Sequence, residues 1–267
     1  MQMEVMEQTK EPTARVAGIS RLRFETDGPG IRTLVALSGC LLDCAYCING
    51  RLRRSSVGKE YTPEELLDQV RLDDIYFMAS GGGITFGGGE PLLRSEFIRH
   101  FKEICPAGWA IAVETSLNVP KEDVERLLGS VDRWFVDIKS LEAERYLEYT
   151  GVSNARVLSN LTLLLERGEA SKVLVRVPWI RGLNDQEDVR REANAIKEWG
   201  FKTEVFDYII PDDLLKEFRS AEPLMGDLID SEEEDSGGCW DDAPPKHRLL
   251  KKIFEIMTTP PLMGVLE

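Results

Sequence analysis

The sequence predicts an α/β fold in which six parallel strands form a partial, open (β/α)6 TIM-like barrel. Short apolar segments alternate with amphipathic helical segments along most of the chain, and this alternation favours right-handed βαβ crossovers and a parallel sheet. Six such units are too few to close an eight-stranded barrel. Cysteines, glycines and charged residues that could bind a cofactor lie at the ends of several strands or directly after them, which is typical of parallel α/β enzymes.

Six short segments, apolar and partly β-branched, predict the strands. They cover residues 33–38, 84–86, 110–115, 134–139, 172–178 and 203–210. Pro178 is expected to end the fifth strand, because proline cannot donate to the ladder of backbone hydrogen bonds.

Helical periodicity fills the intervals between the strands. The first helix starts at Thr62, which is a capping residue, with Pro63 at the first helical position and Glu65 completing a capping box. The other predicted helices cover residues 95–104, 119–128, 154–167, 184–199 and 247–257.

The charge distribution predicts three regions. Residues 207–267 hold 6 Lys and Arg against 15 Asp and Glu, and residues 227–242 hold eight acids and no base. Such a block is typical of a solvated, flexible segment. We therefore expect a flexible N-terminus over residues 1–17, a core over 18–210, and an acidic C-terminal region with a closing helix over 211–267.

The overall composition excludes several classes of protein. The chain of 267 residues has 33 Lys and Arg against 47 Asp and Glu, a net charge of −14, which disfavours binding to nucleic acid or to an anionic membrane. We find no apolar run long enough to span a bilayer, and the first 15 residues lack the apolar stretch of a signal peptide. The sequence thus predicts a cytoplasmic protein, whose five cysteines are not expected to form disulfides.

Three of the five cysteines form a cluster directly after the first predicted strand. Cys40, Cys44 and Cys47 have the spacing C-x3-C-x2-C. A structural zinc site needs four ligands, and the two histidines of the chain lie far away in sequence. Three buried cysteines without a metal are a second alternative. An iron–sulfur cluster is favoured, and three thiolates on a [4Fe–4S] cube would leave one iron open to a ligand.

Further candidate ligands follow the next strands. Residues 81–91 hold six glycines and end in Glu-Pro, so the backbone there can approach a ligand closely; an ordinary turn is the alternative. Glu114, Asp137 and Lys139 end two later strands, and a lysine can hold a carboxylate. Arg176 lies inside the fifth strand and fits a cofactor contact or an ion pair with a nearby acid equally well.

These motifs resemble the radical S-adenosylmethionine (SAM) superfamily, whose signature is C-x3-C-x-aromatic-C with Tyr46 as the aromatic residue. The resemblance implies a [4Fe–4S] cluster bound by the three cysteines and reductive cleavage of SAM to a 5′-deoxyadenosyl radical. It also implies that Tyr46 lies in the cofactor site.

The resemblance is closest to the glycyl-radical-enzyme activating proteins, the pyruvate formate-lyase activase group. The similar segments are residues 26–33, 81–93, 136–140, 148–154 and 176–185. In this group Gly88, Gly89 and Glu90 would meet the amino group of SAM, and Lys139 its carboxylate.

The same resemblance implies a monovalent cation near Glu114 and Asp137, and places Asp27 in the loop that meets the partner's glycine loop. It implies a glycyl radical enzyme as partner and a flavodoxin or ferredoxin as reductant. The chain departs from the group at Cys47-Ile48-Asn49, where Cys-His-Asn is usual, and at residues 206–213.

Two functions therefore stay open at this point. The first is an activase that removes a hydrogen atom from a backbone glycine of a large partner, which the open barrel would admit. The second is a radical SAM enzyme, such as an epimerase, that modifies a peptide or small molecule and uses Cys239 as hydrogen donor. A mobile, unpaired Cys239 is the alternative to that role. An iron–sulfur electron carrier is a third class, but a carrier needs neither an open iron nor the Gly-Gly-Glu segment.

Overall fold

In the computed structural model, six parallel strands lie side by side in one sheet, and two antiparallel strands extend its first edge. The structure describes residues 11–24, 26–180 and 184–208. The strands are β1 (Ala14–Phe24), β2 (Ile31–Leu37), β3 (Lys59–Tyr61), β4 (Gly83–Gly88), β5 (Ala110–Thr115), β6 (Arg133–Asp137), β7 (Val173–Trp179) and β8 (Lys202–Asp207). Their order is β3-β1-β2-β4-β5-β6-β7-β8, so the predicted open parallel arrangement is confirmed.

The helices occupy the crossovers between the parallel strands. They are α1 (Pro63–Val70), α2 (Asp74–Ser80), α3 (Ser95–Ile104), α4 (Lys121–Glu125), α5 (Ala143–Thr150), α6 (Ala155–Glu166) and α7 (Gln186–Glu198). The capping box predicted at Thr62 is present, since the side chain of Thr62 accepts from the backbone N–H of Glu65 and that of Glu65 from the N–H of Thr62.

The sheet has one apolar face and one polar face. Val35, Phe86, Val113 and Trp134 are fully buried in the main hydrophobic core. Alternate residues point to the opposite face. Arg176 lies on that face, where its guanidinium is 5.3 Å from the centre of the Phe135 ring and forms ion pairs with two carboxylates. The polar face therefore leads to the candidate site.

The observed strand ends differ from several of the predicted ones, and two of these differences concern the site. Strand β6 ends at Asp137, so Lys139 lies just beyond it. Strand β7 continues through Pro178 to Trp179, because the pairing of β6 with β7 has already ended at Arg176, and Pro178 pairs only with Phe206 of β8 in the register.

Several elements were not predicted. Strand β1 begins at Ala14, where Ala14 and Val16 are buried, so the expected boundary of a flexible terminus at residue 17 falls inside a strand. Strands β1 and β3 and helices α2 and α5 are additions to the predicted pattern. Helix α4 ends at Glu125, three residues before the predicted end.

Other predictions fall outside the described residues. These are the acidic C-terminal region over 211–267, its closing helix at 247–257, and Cys239. Within the described ranges, every helix is too short or too polar to cross a bilayer.

Replacing Thr62 by alanine should lower the free energy of unfolding by about 1 kcal/mol, because the N-cap acceptor of α1 is lost. Thr162→Ala is the control, since the hydroxyl of Thr162 bonds only the carbonyl of Leu158 in the middle of α6 and alanine favours a helix interior. Urea denaturation measures both variants. Equal losses in the two would contradict the capping role.

Candidate active site

The three clustered cysteines lie on the loop that leaves β2, as predicted. All three thiols are half-buried and unpaired. The loop is fixed to the end of α5, because the N–H of Asp43 donates to the carbonyl of Thr150 at 2.9 Å and that of Ala45 to the carbonyl of Tyr149 at 3.0 Å. Helix α5, which the sequence did not predict, therefore positions the cysteines.

Burial opposes the ionisation of the thiols in this loop. Burial raises the pKa of Cys40 to about 12 and that of Cys44 to about 11, and the neighbouring thiols add to both shifts. At neutral pH these thiols would stay protonated unless a positive metal displaced their protons. Within the described ranges, no three His, Cys, Asp or Glu side chains are grouped around a single metal-ion position. Three thiols on one loop are the type of ligand that an iron–sulfur cluster takes.

Gly88 and Gly89 join β4 to the cysteine loop. The N–H of Gly89 donates to the carbonyl of Leu37 at 2.8 Å, and that of Glu90 to the carbonyl of Gly39 at 2.7 Å. A Cβ on Gly89 would lie 2.3 Å from the carbonyl oxygen of Gly39, and Gly88 has a φ of +101°. Close approach of two backbones therefore accounts for these glycines, while their contact with SAM stays a prediction.

Glu90 is a buried carboxylate with a full set of partners. One oxygen accepts from Thr115 Oγ1 at 2.6 Å and from the N–H of Leu92, and the other accepts from the N–H and Oγ of Ser116. Burial raises its pKa, although the hydrogen bonds oppose the shift. Glu90 thus links the end of β4 to the end of β5.

Glu114 and Asp137 converge on Arg176. The guanidinium Nε lies 2.7 Å from Asp137 Oδ1, and Nη1 lies 3.0 Å from Glu114 Oε1. Burial raises the pKa of Glu114 despite this ion pair. Burial also acts on Asp137, but Lys139 and Arg176 outweigh it and lower its pKa. The ion-pair interpretation of Arg176 is therefore confirmed, whereas a contact with cofactor stays a prediction.

Lys139 lies between the acids and the cysteine loop. Its Nζ is 3.9 Å from Asp137 Oδ2 and 5.9 Å from the centre of the Tyr46 ring, and its charge lowers the pKa of Cys44 against the larger effect of burial. The hydroxyl of Tyr46 is buried without a hydrogen-bond partner among the described residues. A buried hydroxyl without a partner is rare in proteins, and here it fits a site that takes a polar ligand.

Tyr149 and Tyr208 belong to this site and were missed. Their rings make edge contacts with Tyr46 at 6.0 and 5.3 Å between centres. The hydroxyl of Tyr208 donates to the backbone carbonyl of Tyr46 at 2.5 Å. The position of Tyr208 at the end of the last strand was the one signal available in the sequence.

Asp27 lies on the loop between β1 and β2, and the contact of this loop with a partner stays a prediction. It is buried, and Arg23 holds its carboxylate through two nitrogens. Its loop lies against the polar face of the sheet, since a Cβ on Gly28 would be 3.0 Å from the Phe135 ring. Its side chain is not presented to a partner protein in this structure.

Apart from Cys239, which lies outside the described residues, the predicted site residues gather at the carboxyl ends of the strands. A match to the family model of the Radical SAM superfamily covers residues 34–193, which hold all of these gathered residues. The chain belongs to the radical SAM superfamily. Enzymes of this family use a [4Fe–4S] cluster and S-adenosylmethionine, so both predicted cofactors are confirmed.

Related proteins narrow the assignment within the superfamily. The chain is 37% identical to the pyruvate formate-lyase-activating enzyme of Clostridium pasteurianum over 64% of this chain and 71% of the relative. It is 32% identical to the choline trimethylamine-lyase activating enzyme of Oleidesulfovibrio alaskensis over 61% and 71%. The predicted resemblance to the activating-enzyme group is thereby confirmed.

Solved structures support the fold. Streptococcus suis SuiB bound to S-adenosylmethionine superimposes with a TM-score of 0.53 at 17% identity, over 77% of this chain and 52% of SuiB. At this level of identity the similarity concerns the fold alone.

Gly89→Ala should destabilise the protein by about 1–3 kcal/mol, because the new Cβ would collide with the carbonyl of Gly39. Gly18→Ala is the matched control, since a Cβ there has no neighbour within 4 Å, and we expect a change within about 0.5 kcal/mol. Chemical denaturation and iron content after anaerobic reconstitution measure the two effects. A stable Gly89→Ala variant that holds a full complement of iron would contradict the backbone contact.

Proposed function

We propose that this chain activates a glycyl radical enzyme by removing a hydrogen atom from a backbone glycine of that partner. The observation that carries the proposal is the gathering of Cys40, Cys44, Cys47 and Lys139 at one end of an open sheet. The similarity of the chain to activating enzymes over more than half of its length supports a glycyl radical enzyme as the partner.

The three cysteines would hold the cluster, and Tyr46, on the same loop, packs with Tyr149 and Tyr208 in a small apolar cluster. When bound, the cluster and SAM supply a 5′-deoxyadenosyl radical. The chain itself contributes binding and orientation.

SAM binding is assigned to three parts of the site. Lys139 would pair with the SAM carboxylate, and the segment from Gly88 to Glu90 would meet its amino group. Arg176 holds Glu114 and Asp137 in place through two ion pairs, and a monovalent cation would bind beside these two acids. Tyr46, with its unpartnered hydroxyl, would line the pocket.

The identity of the partner and of the reductant also belongs to this proposal. The related activating enzymes are named for choline trimethylamine-lyase and pyruvate formate-lyase, and partners of this class are the candidates. A flavodoxin or a ferredoxin is the expected electron donor. The alternative, a modifying enzyme with Cys239 as hydrogen donor, receives no support from the described residues, which do not include Cys239.

Lys139→Ala should weaken SAM binding by about 1.5–3 kcal/mol, the range for a charge-assisted hydrogen bond, because the partner of the carboxylate is lost. Iron content should stay close to wild type. Equilibrium binding of SAM to the reconstituted protein measures the effect, with Lys121→Ala on α4 as the control lysine. An unchanged SAM affinity would remove Lys139 from the site.

The activase function predicts a glycyl radical on a partner. Reconstituted protein, SAM and photoreduced deazaflavin should produce an EPR doublet on a matching glycyl radical enzyme, with at most about one glycyl radical formed per SAM cleaved. A partner variant with alanine at the radical glycine and the Cys44→Ala activase are the two controls. Peptide product that accumulates over many turnovers and takes up solvent deuterium through Cys239 would favour the alternative.

A further inference from the structure

Glu192 is a buried carboxylate on the apolar face of α7. The buried residues of this helix are Val189, Glu192, Ala193 and Ile196, which follow the spacing of one helical face. The other three belong to the main hydrophobic core. A carboxylate is costly to bury unless it is hydrogen-bonded, so its place in this stripe requires specific partners.

The partners of Glu192 lie on the loop that follows β6. Its Oε1 accepts from Ser140 Oγ at 2.6 Å and from the N–H of Leu141 at 3.1 Å. Ser140 is 3% exposed and directly follows Lys139 in the chain. A carboxylate of α7 therefore holds the backbone next to the lysine that faces the cysteine loop.

Lys139 lies between two anchors of this kind. On its other side, the N–H of Ile138 donates to the carbonyl of Arg176 in β7 at 3.0 Å. The side chain of Lys139 is 16% exposed and ends in a point charge on a flexible stem. The region that its Nζ can reach is set by where the backbone starts, and Glu192 fixes that start from the side of Ser140.

The same hydrogen bonds join this loop to α5. Ser140 Oγ accepts from the N–H of Glu142 at 3.1 Å, and Glu142 is the N-cap residue of α5, the helix that holds the cysteine loop. A second contact between α7 and α5 is the ion pair of Arg145 with Asp188 at 2.8 Å. Loss of the Glu192 carboxylate would therefore loosen the loop after β6 while this second contact keeps α5 in place.

We infer that Glu192 is a positioning residue that aims Lys139 at the carboxylate of SAM. The inference rests on the proposed function, in which Lys139 pairs with that carboxylate. Glu192 acts through the hydroxyl of Ser140 and the N–H of Leu141 rather than by contact with the cofactor. A hydrogen bond weakens steeply as its geometry departs from the ideal, so a loosened loop loses part of the pairing although the lysine is still present.

A purely structural role is the alternative. A carboxylate that only ties α7 to the loop would stabilise the fold without selecting one group of the cofactor. Positioning of Lys139 concerns the carboxylate end of SAM alone. Decarboxylated SAM, which keeps the sulfonium and the amine, therefore separates the two roles, and so does a double-mutant cycle between Glu192 and Lys139.

The test measures binding of SAM and of decarboxylated SAM to the cluster-loaded full chain by equilibrium dialysis. The variants are Glu192→Ala, Glu192→Gln, Lys139→Ala and the double alanine variant. Glu198→Ala is the matched control, since Glu198 is an exposed glutamate on the same helix. Iron content and thermal unfolding report on the cluster and the fold of each variant. Ser140→Ala removes one hydroxyl only and replaces Glu192→Ala in the cycle if that variant does not fold.

Glu192→Ala should weaken SAM binding about fivefold to tenfold and leave the affinity for decarboxylated SAM within about twofold of wild type. In the Lys139→Ala background it should cause no further loss, because the two residues act as one unit. Glu192→Gln should keep most of the affinity, since both donors go to one oxygen and an amide provides one. Ser140→Ala should weaken SAM binding about threefold. The control should match the wild type, and all variants should keep their iron.

Three results would overturn the inference. Equal losses of affinity for SAM and for decarboxylated SAM, or additive losses in the double variant, would leave Glu192 with a structural role alone. Wild-type affinity for SAM in both Glu192→Ala and Ser140→Ala would remove even that effect on binding. Failure of the proposed function is seen separately: Lys139→Ala by itself would then bind SAM as tightly as the wild type, and the inference would fall with it.

Discussion

The parallel pairing of the strands is the constraint on which the whole site depends. Backbone hydrogen bonds set Leu37 beside Gly88, Thr115 beside Val136, and Asp137 beside Arg176. Because side chains alternate between the two faces of a sheet, this register brings Asp137 and Arg176 to the same face. A slip of one residue in β7 would turn Arg176 into the apolar core and leave two partly buried carboxylates without their cation.

A second level of order comes from contacts between the loops beyond the strands. Glu90 accepts hydrogen bonds from the segment after β5, Gly89 lies against the loop after β2, and Asn160 of α6 donates to the carbonyls of Leu117 and Val119. Leu117 keeps a φ of +56° within this network, a conformation that non-glycine residues adopt only when their surroundings hold them there. These polar groups are thus satisfied by one another, whereas the buried hydroxyl of Tyr46 has no hydrogen-bond partner among the described residues.

Much of this arrangement could be predicted from the sequence. The six parallel strands and the cysteine loop follow from local patterns, since apolar β-branched segments and C-x3-C-x2-C are each contained in a few residues. Strand β3 could not be found in this way, because three residues form a strand only when β1 lies beside them. Tyr208 was missed for a similar reason: its partner, Tyr46, lies 162 residues earlier in the chain. The glycines at 88 and 89 were correctly selected, but only the structure shows that neighbouring backbone requires them.

Strand β1 has a consequence for the kind of polypeptide that the site can accept. It occupies the free edge of β2 in the antiparallel direction, so β8 cannot pair with β2, and within the described residues β8 has a neighbour on one side only. The sheet is therefore a trough rather than a tube. A tube admits a chain only by its free end, whereas a trough accepts the middle of a chain from the side. A glycine in the interior of a long polypeptide can then reach the row of strand ends while both flanking segments stay attached to their own fold.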